Sequence, residues 1–332
     1  MVQHAAGQVT RRGLLAAAPA LGLARPARAQ AWRPSQPVRL VVSAAPGGTL
    51  DIHARAAQPL LAQKLGQSVV VENQGGAAGR LGAMQVGRAA PDGHTLLVSS
   101  GDTLVLQDIL FGPRQGRARA NLRPVTMTIS AAQLLVTHPR SGIRTVQEYV
   151  AALRERGDRV TLAMAGHGGI AHIVSEMLNR QLGLRVTHVP YRGGGPATLD
   201  LLAGQVDTMV ITLPAVTTHV REGRLVPLAV STKERDPALP AVPSFHESVA
   251  PGFDVPSTQG VLVPAGTPDA AVATLEAAWR EALADPGVRG KLQELGFVVH
   301  SSTPAEFDRS LSDSETRFAE VIAAAGIRGD EG

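Results

Sequence analysis

Two short stretches carry the residue types needed to bind an anion through the backbone. Val38 to Asp51 runs an apolar segment into Ala44-Ala45-Pro46-Gly47-Gly48, then reaches Thr49, able to cap a helix, and Asp51 in the first turn that would follow. Ala165-Gly166-His167-Gly168-Gly169 also follows an apolar segment and leads into Ile170, Ala171 and His172. A glycine loop at a helix start bares backbone N–H groups, and the helix dipole places about half a unit of positive charge there. The first loop reads as an anion site. The second reads either as a matching grip or as a tight structural turn.

Other chemistries are poorly served. Gly166 to Ala171 fits G-x-G-x-x-A, but a dinucleotide fold would place an acid about 20 residues on, at the end of the next strand. That strand, Arg185–Val189, ends at Pro190 and holds no acid. His167, His172 and His188 invite a metal, yet a loop residue and a helix residue five apart lack the shared face of an H-E-x-x-H pair. We expect no metal and no cofactor, with His172 either a polar contact at a cleft wall or a structural hydrogen bonder. No G-x-S-x-G elbow occurs, and Ser99-Ser100-Gly101 has no His and acid in an ordered frame. Those serines are hydroxyl donors of a cleft or a plain turn, and Asp51 is a base or a partner of the helix dipole. No catalytic residue emerges. The chain has no cysteine, which excludes thiolate zinc sites and cysteine nucleophiles, and aromatics are only 3% of residues, too few for the stacking platforms of a sugar or single-stranded nucleic acid site.

The net charge of +4 is equally uninformative about nucleic acid. Arg11, Arg12, Arg25 and Arg28 fall within residues 1–29, which hold no acid, and the other 28 basic residues balance 28 acidic ones. The same segment has the form of an export signal: Arg11-Arg12, an eleven-residue apolar run from Gly13 to Leu23, and Ala27-Arg28-Ala29 before Gln30. The paired arginines permit a twin-arginine route. The expected mature protein is periplasmic.

Beyond Gln30, strands and helices alternate. Strands are expected at Val38–Ser43, Ser68–Glu72, Thr95–Ser100, Gln133–Thr137, Val160–Ala165, Arg185–Val189, Val206–Ile211, Leu225–Ser231 and Gly260–Val263. Helices are expected from Asp51, with a kink or break at Pro59, and over Ile170–Leu182; Gly112 to Asn121 reads as a loop. Thr145-x-x-Glu148 and Thr303-Pro304-Ala305-Glu306 are capping boxes. The C-terminal helices should bury Val272, Leu275, Trp279 and Leu283, then Phe307, Leu311, Phe318 and Ile322. The pattern predicts an α/β chain with two lobes and a hinge, residues 30–132 and 256–328 forming one lobe and 133–255 the other, with ligand between facing strand ends.

Eight motifs then appear in order. They are Trp32-Arg33-Pro34 with Val38-Arg39-Leu40-Val41-Val42, Pro46-Gly47-Gly48-Thr49-Leu50-Asp51, Val69-Val70-Val71-Glu72-Asn73, Ala89-Ala90-Pro91-Asp92-Gly93-His94-Thr95, Val189-Pro190-Tyr191-Arg192-Gly193, Leu201-Leu202-Ala203-Gly204-Gln205-Val206-Asp207, Pro264-Ala265-Gly266-Thr267-Pro268 and Ser302-Thr303-Pro304-Ala305-Glu306-Phe307. From Trp32 to Ile327 the chain closely resembles the Bug (Bordetella uptake gene), or TctC-like, solute-binding proteins of tripartite tricarboxylate transport. The resemblance implies a type II-like Venus-flytrap periplasmic-binding-protein fold, no enzyme activity, and a monomer that captures a small organic carboxylate for a membrane permease. A sensor subunit that presents the bound carboxylate to a membrane partner is the alternative. It also implies contacts from Ala44, Pro46, Gly47, Gly48, Thr49 and Asp51 in the first loop, and from Ala165, Gly166, Gly168, Gly169 and His172 in the second. Ser100, Thr103, Tyr191, Thr212 and Thr258 complete the expected site. Ala44 stands where the family often has Phe, Gly168-Gly169 lacks a hydroxyl donor usual there, and Thr258-Gln259 replaces a Trp-Phe pair, so a wider, less aromatic pocket for a bulkier or more polar ligand is expected.

Overall fold

The computed structural model describes residues 1–2, 32–165, 168–191 and 193–329. The expected export segment therefore lies, but for its first two residues, outside them. The chain lays down β1 (Val38–Val42), α1 (Thr49–Leu65), β2 (Val69–Asn73), α2 (Arg80–Gly87), β3 (Thr95–Ser100), α3 (Gly101–Gln115), β4 (Leu122–Ala131) and β5 (Gln133–Thr137). Next come α4 (Val146–Arg156), β6 (Thr161–Ala165), α5 (Ile170–Leu182), β7 (Thr187–Tyr191), α6 (Gly194–Ala203), β8 (Thr208–Thr212), α7 (Thr217–Arg221), β9 (Val226–Val230) and the one-turn α8 (Phe245–Ser248). It ends with β10 (Ser257–Pro264), α9 (Asp269–Ala284), α10 (Pro286–Glu294), β11 (Val298–Val299) and α11 (Pro304–Ala325). None of the described helices is long and apolar enough to cross a membrane.

The strands form two mixed sheets, a six-stranded one in the order β11-β4-β10-β3-β1-β2 and a five-stranded one in the order β7-β6-β8-β5-β9. In the first, β1 runs parallel to β2 and β3, while β10 is antiparallel to β3 and β4. In the second, β6 runs parallel to β7 and β8, and β5 is antiparallel to β8 and β9. The chain passes from one sheet to the other through Ala132, between β4 and β5, and returns with β10. This is the expected two-lobed α/β architecture.

Buried residues from both sheets share one core. Leu97 and Leu262 of the first sheet join Leu135 and Leu162 of the second through Leu104 and Leu106 of α3, Ile173 and Val174 of α5, and Phe307, Leu311, Phe318 and Ile322 of α11. The last helix is thus the bridge. Its Phe307 ring lies so close to β10 that a Cβ on Gly260 would sit 2.4 Å from it. The capping box expected at Thr303 and Glu306 starts this helix, with Pro304 in its first turn.

Three elements depart from the sequence reading. Pro59 does not break α1, which runs unbroken from Thr49 to Leu65. Pro59 and Arg55 are both on the exposed face, so the Arg55 carbonyl left without a donor faces water. α3 continues through Gly112, where a loop was expected. β4 shows no apolar run, because Thr126 and Thr128 are buried with their hydroxyls donating to the carbonyls of Ser302 and Gln259 at 2.8 and 3.0 Å. Its Pro124 sits where the register with β10 slips, between Val261 and Leu262, a bulge that tolerates the missing donor.

The start of α3 also supplies a buried acid. Burial pushes the Asp102 carboxyl up to about 6, against the Thr258 N–H and hydroxyl that donate to it and the nearby Arg317 charge. The native chain therefore holds a proton that the unfolded chain releases near 3.8. Stability contributed here declines as pH rises from about 4 to about 6, then levels off. In Asp102→Asn this part of the decline should vanish, as read by denaturant titrations across that range; an unaltered pH profile would contradict the assignment.

Candidate ligand-binding site

β1 delivers Ser43 to the head of the first loop, and the loop turns through Gly47 at φ +78° into α1. The residue preceding α1, Gly48, carries no side chain to cap it. Asp51 does not face the cleft. Its buried carboxylate accepts from the Gly47 N–H at 2.9 Å, from Arg55 Nε at 2.9 Å and from Asn73 Nδ2 at 3.0 Å, while Asn73 also donates to the Ala44 carbonyl at 3.2 Å. Burial raises the Asp51 pKa, but the bonds from Arg55, Gly47 and Asn73 outweigh it and hold the carboxyl below the usual range. Asp51 is the staple of the loop.

The second loop is built alike. Gly168 has φ +68°, a left-handed conformation that favours glycine, and a Cβ there would lie 2.3 Å from Leu110 Cδ1 of α3, so a larger residue would strain the backbone and displace that side chain. Gly169 precedes α5, again without a side-chain cap. The Gly168 N–H donates to His172 Nδ1 at 3.1 Å, which turns the buried imidazole into the loop. Gly166 and His167 lie outside the described residues. A third helix start, which sequence reasoning missed, belongs to α3, where the Ser100 hydroxyl accepts from the Thr103 N–H at 3.2 Å.

First-turn residues of all three helices line one cavity of about 270 Å³. Leu50 comes from α1, Thr103 from α3, and Ile170 and Ala171 from α5, with Ser43, Ser99 and Ser100 adding hydroxyls. Its described lining carries no ionised side chain, so dipoles and hydroxyls set its polarity. Gln133, at the crossing between the sheets, lines it too. Gln133 Nε2 donates to Thr212 Oγ1 at 3.0 Å, and its buried Oε1 has no partner among the described residues. A buried acceptor of this kind favours a ligand or water that donates to it.

A family model for the tripartite tricarboxylate transporter family receptor matches residues 53–327. Protein BugT of Bordetella pertussis is 31% identical over 308 residues, 92% of this chain and 94% of BugT. The chain belongs to this receptor family. Among solved structures, MatC from Rhodopseudomonas palustris with bound malate has a TM-score of 0.78 and 33% identity, covering 87% of this chain and 99% of MatC. R. palustris Rpa4515 with adipate has a TM-score of 0.82 and 28% identity, covering 89% and 99%. The TctC-type receptors are periplasmic solute-binding proteins, and the Bug resemblance holds.

Within this TctC-type fold the expected contacts divide. Ser100, Thr103 and Gly169 line the inner cavity, Gly47, Gly48 and Thr49 line an adjoining outer one, and Thr212 lines both. Ala44, Pro46, Asp51, Gly168, His172, Tyr191 and Thr258 line neither; Ala165 ends β6. The Tyr191 hydroxyl instead donates to Asp200 at 2.8 Å, tying β7 to α6, and Thr258 serves Asp102. Sequence reasoning missed Gln133 and Ile211, which the crossing of the sheets brings to the site, although its pairing of Ser99 with Ser100 was a usable signal. It grouped His188 with His172 only as a candidate metal cluster, which it then set aside. Their rings stand 4.9 Å apart, with His188 Nδ1 3.4 Å from Glu176 Oε1 and His188 Nε2 3.0 Å from Ser175 Oγ. This cluster backs the second loop from behind.

Two substitutions separate lining from support. Gly48 has φ −75° and ψ 170°, a conformation open to any residue, and an added Cβ would meet only the Ala45 carbonyl at 3.4 Å. Gly48→Val should hold its melting temperature within about 2 °C while ligand affinity, by calorimetry, falls about tenfold or more. Asp51→Ala should lower stability by about 1–3 kcal/mol and affinity with it. Because the Asp51 pKa is depressed, that stability difference should be full at neutral pH and disappear as pH falls below the ordinary carboxylate range. Intact affinity in Gly48→Val would contradict the placement.

Proposed function

We propose that this chain is a periplasmic receptor that captures an organic carboxylate in the cleft and delivers it to a permease of the tripartite tricarboxylate type. The observation that carries this reading is the meeting of the α1 and α5 starts, both without side-chain caps, at a cavity lined by serine and threonine hydroxyls. Each start presents about half a unit of positive charge, enough together to balance one carboxylate without a cationic side chain. The malate and adipate in the two related structures support the same ligand class. Residues 30–132 with 256–328, and 133–255, are the two lobes in this reading, and an acid touching both favours the closed form. The protein works as a monomer and performs no chemistry on its ligand.

A thermal-shift screen against malate, adipate, citrate, amino acids and sugars tests the class. At about 100 times its dissociation constant a ligand adds about 2.7 kcal/mol of stability. A carboxylate should raise the melting temperature, and a response confined to sugars or amines would contradict the proposal.

A further inference from the structure

The inner cavity opens into a larger one. Ile211 and Thr212 at the end of β8 line both, and the outer cavity holds about 800 Å³. Its walls come from both sides of the cleft: Ile52, Leu295 and Phe297 from one, Leu199, Leu202 and Ile211 from the other. Leu199 of α6 is 68% exposed there, a large apolar side chain left in water beside other apolar ones. Ligand pockets span about 300–1,000 Å³, so the inner cavity alone suits a very small acid while the outer one accommodates a drug-sized body.

Among the described residues, the one arginine lining the outer cavity already has partners. Arg224 bonds His219 at 2.6 Å and pairs with Glu222 at 3.3 Å. A second carboxylate would have to compete for that guanidinium, whereas an alkyl or aryl group would only displace water from apolar walls. We infer that the ligand is a carboxylate with a sizeable apolar body, its head in the inner cavity and its body against Leu199, Leu202, Ile52 and Phe297. The inference rests on the carboxylate reading of the inner cavity. It also makes the body the element that joins the two walls on closure.

Isothermal titration of the purified protein with succinate, butanoate, hexanoate, octanoate and decanoate tests it. Affinity should climb by roughly fourfold per added methylene from butanoate onward, the burial value of a CH₂ group. Ala215 is exposed at the rim of the outer cavity, so Ala215→Trp puts an indole into it without entering the core. That variant, with its fold checked by its melting curve, should lose the climb. Flat affinity along the series in a wild-type protein that binds succinate or butanoate would overturn the inference and leave the outer walls as a seam that closes on itself. A climb that persists unchanged in Ala215→Trp would overturn the location. Failure of every acid, succinate included, would overturn the carboxylate reading on which it stands.

Discussion

The first-turn amides of α1 and α5 must find acceptors that their own sequences do not provide. A helix start leaves its early N–H groups without intrahelical partners, and Gly48 and Gly169 offer no oxygen to meet them. Most of the surrounding structure fixes where those amides point. Asp51 ties down the first loop and Gly168 turns the second at a positive φ against Leu110, while Gln259 of β10 donates to Thr49 Oγ1 at 3.2 Å. In the proposed function an anion would complete what the chain itself leaves open.

The same constraint explains why the site sits where the chain changes sheets. Parallel strands β1, β3 and β6 each end at a helix start, so their C-terminal ends gather donors at one place. Gln133 enters at the crossing itself, its backbone N–H donating to Ser231 Oγ at 2.9 Å and its side chain to Thr212. The Ser231 hydroxyl in turn donates to the Val255 carbonyl near the returning strand at 2.6 Å. The lining of the inner cavity and the crossing between the sheets thus share Gln133. α3, α5 and α11 pack between the sheets, so any change of lobe angle is felt along that shared core.

Much of this was legible in the sequence because it is local. The capping boxes, the α5 boundaries and the buried faces of α9 and α11 follow from spacing alone, and so do the glycine loops ahead of α1 and α5. What escaped is what long-range packing decides. β4 is a strand because its threonines find carbonyls on distant segments, and α3 outlasts a Gly-Pro pair that normally ends helices. Asp51, His172, Tyr191 and Thr258, expected as ligand contacts along the chain, also hold neighbouring segments through bonds that only the folded chain shows. Gln133 and the apolar outer cavity had no signal at all, since neither exists until the two sheets come together.

A crystal structure of the protein grown with adipate tests the central claim most directly. One carboxylate should lie in the inner cavity with its oxygens about 2.7–3.2 Å from first-turn backbone nitrogens of both α1 and α5. An acid held instead by Arg224 or another side-chain cation, with those amides turned to water, would contradict the account.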